Sequence, residues 1–309
     1  RTSRQSMIRF LFLGTRGAMS VALLDGLLAA GRVPVGVVVP GNGARSVEPV
    51  LAPAAPSGGL TVLPAAAQQS VLERAWQAGV PAWAVSRWDP ASLQWLAEQR
   101  AMLGIVACWP ERLPFTVLDG FAYGLWNLHP SYLPDYRGPA PFFWQRRDGL
   151  TESAITLHRM SATLDAGPII GQRELPLPDG ALDQELDRLA GRAALPLVLE
   201  ALDARDAGAL QPAPQPGGGS YQGWPGEEDF RVPTTWTARH AWNFMRVAQV
   251  WGVPFRVQTL AGERDLPAPA GWSPATRPKE VPERDGLLSI PFAEGEVWWR
   301  IGVTSCGVS

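Results

Sequence analysis

The sequence predicts a doubly wound α/β domain with a mainly parallel sheet, followed by a smaller β-rich domain. Three observations carry that expectation. Apolar runs of strand length alternate with helix-length amphipathic stretches from Met7 to Arg205. A Gly/Pro-rich stretch, "GALQPAPQPGGGS", then breaks the pattern. From Gly223 onward, short strand-like runs are interrupted by Pro and Gly. The expected organisation is an N-terminal domain over 7–205, a linker over 206–222 and a C-terminal domain over 223–309.

Each element has its own signal. "MIRFLFLG", Met7 to Gly14, is a continuous apolar run, as in a strand buried on both faces of a parallel sheet. "TRGAMSVALLDGLLAAGR" reads as a turn and a helix ending near Gly31, and "VPVGVVVPG" as a second strand. Asn42 to Pro64 is a Gly/Pro/Ala-rich loop with almost no charge. "QQSVLERAWQAGV" is helical, "AWAVSR" a short strand and "PASLQWLAEQR" a helix. "LGIVACW" and "GLWNLH" are two further buried strands, and "SAITLHRM" and "PIIGQRELPL" a later pair. "ALDQELDRLAGRAALPLVLEALDAR" has helical spacing, with an interruption expected at Pro196.

Composition narrows the function. The chain has 309 residues, is 46% hydrophobic and 18% charged, and carries a net charge of −2. It suits a globular protein with a sizeable core and shows no basic excess of the kind nucleic-acid binding favours. Lys279 is the only lysine. Cys108 and Cys306 are too few for a disulfide framework or a zinc site, which fits a reducing cytoplasm. No apolar run approaches the length of a membrane span. Arg1 to Ser6 is polar and lacks a signal-peptide core, so the native start is expected at Met7.

The chemistry-bearing residues collect around "LWNLHPSYLPDYRGPAPFFW", Leu125 to Trp144. Asn127 and His129 stand two apart, on one face of a strand. Pro130 stops the ladder, so both side chains reach the rim where α/β sheets gather ligands. Asp165, in "MSATLDAGPII", is open to two readings: an Asx-turn residue, or a carboxylate that orients His129 and raises its pKa. His158 and His240 read as structural, and Arg137-Gly138 as a loop-shaping pair. Neither cysteine has an activating partner, and no G-x-S-x-G nucleophile is present. Gly14 and Gly17 lack full dinucleotide-binding spacing and read as a tight strand-to-helix turn.

"NLHPSYLPDYRGPAPFFW" followed by "ITLHRMSATLDAGPI" resembles the folate-dependent formyltransferases. The family pattern is met by Asn127, His129, Ser131, Leu133, Pro134, Arg137, Gly138, Pro141, Thr156, Leu164, Asp165 and Gly167. "EDFRVPTTWTARHAWNFMRV" resembles the start of the C-terminal β-barrel domain of some members, so a β-barrel-like second domain is expected. Ala154 stands where the family usually has Gly, Ser161 where it often has an acid, and "CWPERLP" replaces its small aliphatic run. The resemblance implies N-formyl transfer from 10-formyltetrahydrofolate, without a metal, through a tetrahedral intermediate. Asn127 and a protonated His129 would stabilise its oxygen, and Asp165 would charge the imidazole and help to move the proton. It also implies a pterin site between Trp109 to Leu113 and Met160 to Asp165, with Trp109, Pro110, Leu113, Met160, Ser161 and Leu164 as the expected contacts.

The acceptor amine is argued from charge. The loop at Asn42 to Pro64, basic in the tRNA-formylating relatives, carries only Arg45 and Glu48. From Gly223 there are ten acids against nine bases. A small amine, such as an amino-sugar nucleotide or a biosynthetic intermediate, is therefore expected, with tRNA as the alternative. A hydrolase releasing formate from the same folate, or a binding module without turnover, are further readings. Seven of the fourteen tryptophans follow residue 223, as barrel core or as stacking platforms for a base or sugar.

Overall fold

The structure is a computed structural model that describes residues 7–53, 70–259, 262–275, 281–284 and 286–300. Arg1 to Ser6, Lys279, Cys306 and the loop stretch from 54 onward to 64 lie outside the described residues. Along the first part of the chain run β1 (Phe10–Gly14), α1 (Ala18–Ala29), β2 (Gly36–Pro40), β3 (Val47–Pro49), α2 (Val71–Gln77), β4 (Ala82–Val85) and α3 (Pro90–Glu98). There follow β5 (Leu103–Ala107), α4 (Phe115–Leu118), β6 (Leu125–His129), α5 (Pro141–Arg147), β7 (Glu152–Arg159), β8 (Ile169–Pro176) and α6 (Asp183–Asp206). The remainder forms β9 (Arg231–Val232), α7 (Ala238–Ala248), β10 (Phe255–Thr259), β11 (Gly262–Leu266), β12 (Gly271–Ser273), β13 (Val281–Arg284), β14 (Leu287–Pro291) and β15 (Glu296–Arg300).

The chain packs as two compact units. The first holds residues 1–137, 154–175 and 187–221; the second holds 138–153, 176–186 and 222–309. An eight-stranded sheet runs β3-β4-β2-β1-β5-β6-β7-β8. β4, β2, β1, β5 and β6 are parallel, with β3 and β7 antiparallel to their inner neighbours. The order reverses at β1, between β2 and β5, which is where such sheets open a crevice.

Local sequence explains these elements. All five residues of β1 and of β5 are buried, as expected of strands covered on both faces. Ser70 and Glu73 form a capping box on α2; Asp89 caps α3 with Pro90 in its first turn. One apolar cluster joins Leu11, Val38, Val106, Leu113, Val117 and Leu125. Burying each such side chain stabilises by roughly 1.5–3 kcal/mol.

Three features depart from the sequence reading. α6 runs unbroken through Pro196. Ala190, Ala194, Val198, Ala201 and Leu202 are all buried along it, and this packing outweighs one lost backbone bond. β3 arises within the stretch read as loop, and the short helices α4 and α5 in stretches to which the sequence reading assigned no element. The second unit is also less uniformly β than expected. Its core packs the eleven-residue helix α7, through Ala241, Phe244, Met245 and Ala248, with Phe143, Phe230, Phe255 and Trp299. A three-stranded sheet, β11-β10-β9, and a four-stranded antiparallel sheet, β12-β15-β14-β13, complete it.

Candidate active site

β6 delivers Asn127 and His129 to the carboxyl edge of the sheet. Its antiparallel pairing with β7 sets Asn127 opposite His158 and His129 opposite Thr156. After His129 the chain turns through a loop with a cis Leu133–Pro134 peptide. Thr156 Oγ1 donates to Ser131 O at 2.6 Å, and Gln172 Nε2 donates to Leu133 O at 3.0 Å. The loop thereby brings Tyr136, itself left-handed at φ +56°, back over the strand end.

Asp165 projects from the β7–β8 connection into the same place. Its backbone is left-handed, at φ +51°, and its side chain is 7% exposed. The neighbouring Gly167 is required by close approach: a Cβ there would lie 1.8 Å from Arg159 O. The Asp165 carboxylate sits between two imidazoles, 3.6 Å from His129 Nδ1 and 3.6 Å from His158 Nε2. Asn127 Nδ2 is 3.2 Å from His158 Nε2 and 3.5 Å from Asp165 Oδ1. Asn127, His129 and Asp165 therefore converge, and His158 makes a fourth member that the sequence reading left as structural. Its signal was its place on β7 opposite Asn127, which needs the strand register and cannot be seen in local spacing.

The contacts fix where protons reside. His129 Nε2 lies 2.7 Å from Tyr136 O, and a carbonyl can only accept, so Nε2 carries the hydrogen. Nδ1 then faces Asp165. His158 Nδ1 donates to Arg159 O at 3.2 Å, leaving its Nε2 to accept from the Asn127 amide. Burial holds the His129 imidazole below its ordinary pKa, outweighing the upward pull of Asp165 and the Tyr136 carbonyl; His158 adds to the lowering. The sequence reading expected Asp165 to raise this pKa. Asp165 does pull upward, but a fully enclosed ring loses more hydration than one carboxylate at 3.6 Å returns.

The two loops expected to flank a pterin adjoin. Arg112 Nη2 donates to Ala162 O at 2.7 Å. Trp109 and Met160 pack against the apolar cluster that contains Leu113. Trp88 stands beside Trp109, with ring centroids 6.3 Å apart. Pro110 is exposed, Leu164 is half-buried, and Ser161 closes its own turn through Thr163 O at 2.8 Å. An apolar wall with aromatic rings and nearby backbone polar groups suits a flat, hydrogen-bonding heterocycle. Among the described residues no set of three or more His, Cys, Asp or Glu side chains is arranged to hold a metal ion. No described helix is long and apolar enough to cross a membrane. A cavity of about 130 Å³ in the second unit, lined by Arg146, Arg239, His240 and Asn243 among others, includes none of these site residues.

Comparison with known proteins bears on this constellation. The family described as Formyl transferase matches residues 57–194. A methionyl-tRNA formyltransferase of Roseiflexus castenholzii is 41% identical over 127 residues, 41% of this chain and 41% of the relative. The match thus spans well under two thirds of that relative's length. The methionyl-tRNA formyltransferase of Heliobacterium modesticaldum is 32% identical over 248 residues, 77% of this chain and 78% of the relative. Among solved structures, an N-formyltransferase from Helicobacter canadensis, in complex with folinic acid and dTDP-3-aminofucose, shares the fold. It has a TM-score of 0.61 at 16% identity, over 94% of this chain and 98% of that one. Identity of about a third over most of a relative, together with the matching motifs, places this chain in the folate-dependent formyltransferase family.

Proposed function

We propose that this protein transfers a formyl group from 10-formyltetrahydrofolate to the amine of a small substrate, using Asn127, His129 and Asp165. The observation that carries the reading is the Asp165 carboxylate within 3.6 Å of His129 Nδ1, at a strand end also occupied by Asn127. The acceptor nitrogen attacks the formyl carbon, and the carbonyl π electrons move to oxygen. The Asn127 amide stabilises that oxyanion, and the positive charge His129 gains on taking up the proton adds to it; one such donor typically contributes about 10²–10³-fold in rate. His129 begins neutral, because it is buried, and this suits a base. With Asp165 it accepts the proton leaving the new C–N centre and returns it to the departing folate nitrogen as that C–N bond breaks. The products are a formamide and tetrahydrofolate. Trp109, Pro110, Leu113, Met160, Ser161 and Leu164 hold the pterin end.

Charge supports the small acceptor. Gripping a tRNA needs several unpaired cations in one patch. In the second unit Arg231 is paired with Glu228 and Glu263, and Arg256 with Glu228 and Asp265. Arg239 is paired with Asp179, while Arg246 lies over the Trp242 ring. Arg231, Arg239 and Arg256 are thus matched by acids, which weakens a phosphate-binding face there. A tRNA acceptor remains the second reading, favoured by the names of the Roseiflexus and Heliobacterium relatives. Incubating the protein and 10-formyltetrahydrofolate with dTDP-3-aminofucose, with initiator methionyl-tRNA and with water alone separates the cases. Formylated amino sugar, formed at least about 10²-fold more slowly by His129→Ala and Asp165→Asn, is the expected result. Formylated tRNA would reverse the acceptor assignment, formate release without any amine would make the protein a hydrolase, and full turnover in either variant would overturn the mechanism.

A further inference from the structure

The stretch from Gln211 to Tyr221 is linker by composition, yet two of its side chains behave otherwise. Gln215 and Ser220 are partly buried while their neighbours from Gln211 to Tyr221 are exposed. The segment is anchored at both ends within the first unit. Ala213 exchanges two backbone hydrogen bonds with Ile169, at 2.7 and 2.8 Å. At the other end, Arg137 N donates to Ser220 O at 3.1 Å, Ser220 N donates to Pro134 O at 3.2 Å, and Tyr136 N donates to Ser220 Oγ at 2.9 Å.

Between these anchors Gln215 reaches the site loop. Its Nε2 donates to Asp165 O at 2.6 Å and to Gly167 O at 2.8 Å. Its Oε1 accepts from Arg137 Nη2 at 2.6 Å and Nε at 3.2 Å. Both residues that flank the His129 ring, Tyr136 beside Nε2 and Asp165 beside Nδ1, have left-handed backbones. Such conformations persist in non-glycine residues only where the surroundings hold them. The same strap holds both, Tyr136 through Ser220 and Asp165 through Gln215.

We propose that Gln215, oriented by Arg137, is a positioning residue that locks the Asp165 loop and so aims the carboxylate at His129. The proposal rests on the formyl-transfer reading of Asp165. Gln215 is suited because an amide both donates and accepts: two carbonyl oxygens need donors while the Arg137 guanidinium needs an acceptor. A glutamate could satisfy only the second demand, and a methionine neither.

The test compares kcat and KM for 10-formyltetrahydrofolate in the wild type, Gln215→Met, Gln215→Glu, Asp165→Asn and the Gln215→Met/Asp165→Asn double variant. The acceptor is dTDP-3-aminofucose or methionyl-tRNA, whichever the wild type formylates. Both Gln215 variants are expected to lose roughly 10–100-fold in kcat, as displacements of about 1 Å at a reacting group do, with little change in KM. Gln215→Glu keeps a partner for Arg137, so its melting temperature should stay near that of the wild type while its kcat falls. In the Asp165→Asn background Gln215→Met should cost almost nothing further, because its effect runs through that carboxylate. Near-wild-type kcat in both Gln215 variants, or an equal loss with and without Asp165, would overturn the strap proposal alone. A fully active Asp165→Asn protein, or a wild type that formylates neither acceptor, would overturn the formyl-transfer reading and the strap with it.

Discussion

Replacing Gly167 by alanine should slow turnover about 10²-fold while leaving the protein folded. An added Cβ would sit 1.8 Å from Arg159 O and 2.9 Å from Arg159 C, where real side chains keep at least 3.0 Å. Arg159 ends β7, whose interior is buried and paired with β6, so the loop has to give way. It must move by about 1 Å, and it takes with it the Gly167 carbonyl that Gln215 holds and the Asp165 carboxylate two residues upstream. Asp165 starts 3.6 Å from each imidazole, so a shift of that size removes it from reach of both. Misplacement on this scale costs about 10²-fold in rate. Overpacking should cost roughly 1–3 kcal/mol of stability, lowering Tm by several degrees. The assay pairs thermal melting with single-turnover formyl transfer at saturating 10-formyltetrahydrofolate. A variant that melts lower yet turns over within about three-fold of the wild type would refute the claim that Asp165 placement controls the rate.

Two further predictions concern stability. Burial raises the Asp183 carboxyl from 3.8 to about 6, so the folded state holds this proton more tightly than the unfolded chain does. That stabilisation is fully present below the unfolded value and is lost as pH rises through about 6. Asp183→Asn should therefore be more stable than the wild type at pH 8 by about 1–2 kcal/mol, allowing for partial solvent screening, and equal to it in acid. Urea melts at the two pH values check this, and coincident curves at alkaline pH would contradict it. Phe143→Ala removes a ring that meets Phe230, Phe244 and Trp251 at centroid distances of 5.3, 5.1 and 6.1 Å. Destabilisation of about 3–5 kcal/mol is expected in denaturant melts, and a loss below about 1 kcal/mol would mean the cavity collapses freely.

Much of the first unit is legible in the sequence because buried parallel strands are written as unbroken apolar runs. "FLFLG" and "LGIVA" need no partner to be recognised. Asn127 and His129 are legible for a related reason: a period of two followed by proline places both on one strand face at its end. Residues whose roles depend on pairing across the fold are not. His158 joins the site only through the β6–β7 register. Gln215 lies in a stretch whose composition says linker, and hydrogen bonds to backbone carbonyls leave no mark on composition. α7 was missed because "ARHAWNFMRVA" stands in a stretch of short strand-like runs broken by Pro and Gly, and its helical apolar face is settled by tertiary packing. Pro196 misled for the same reason in reverse, a strong local rule overridden by a buried helix face.

The interleaving of the two units limits how the gene can be cut. A fragment stopped near residue 222 looks like a self-sufficient enzyme half, yet it would keep 138–153 and 176–186 while discarding the rest of their unit. Phe143, 2% exposed in the whole chain, would lose Phe230, Phe244 and Phe255, and with them the greasy lining around it. An aromatic ring presents some 150–250 Å² to water when stripped in this way, enough to make such a truncation sticky. Recombination between relatives faces the same restriction. A tail exchanged at the linker must arrive with an α5 that fits it, because α5 contributes Phe143 to the core of the second unit.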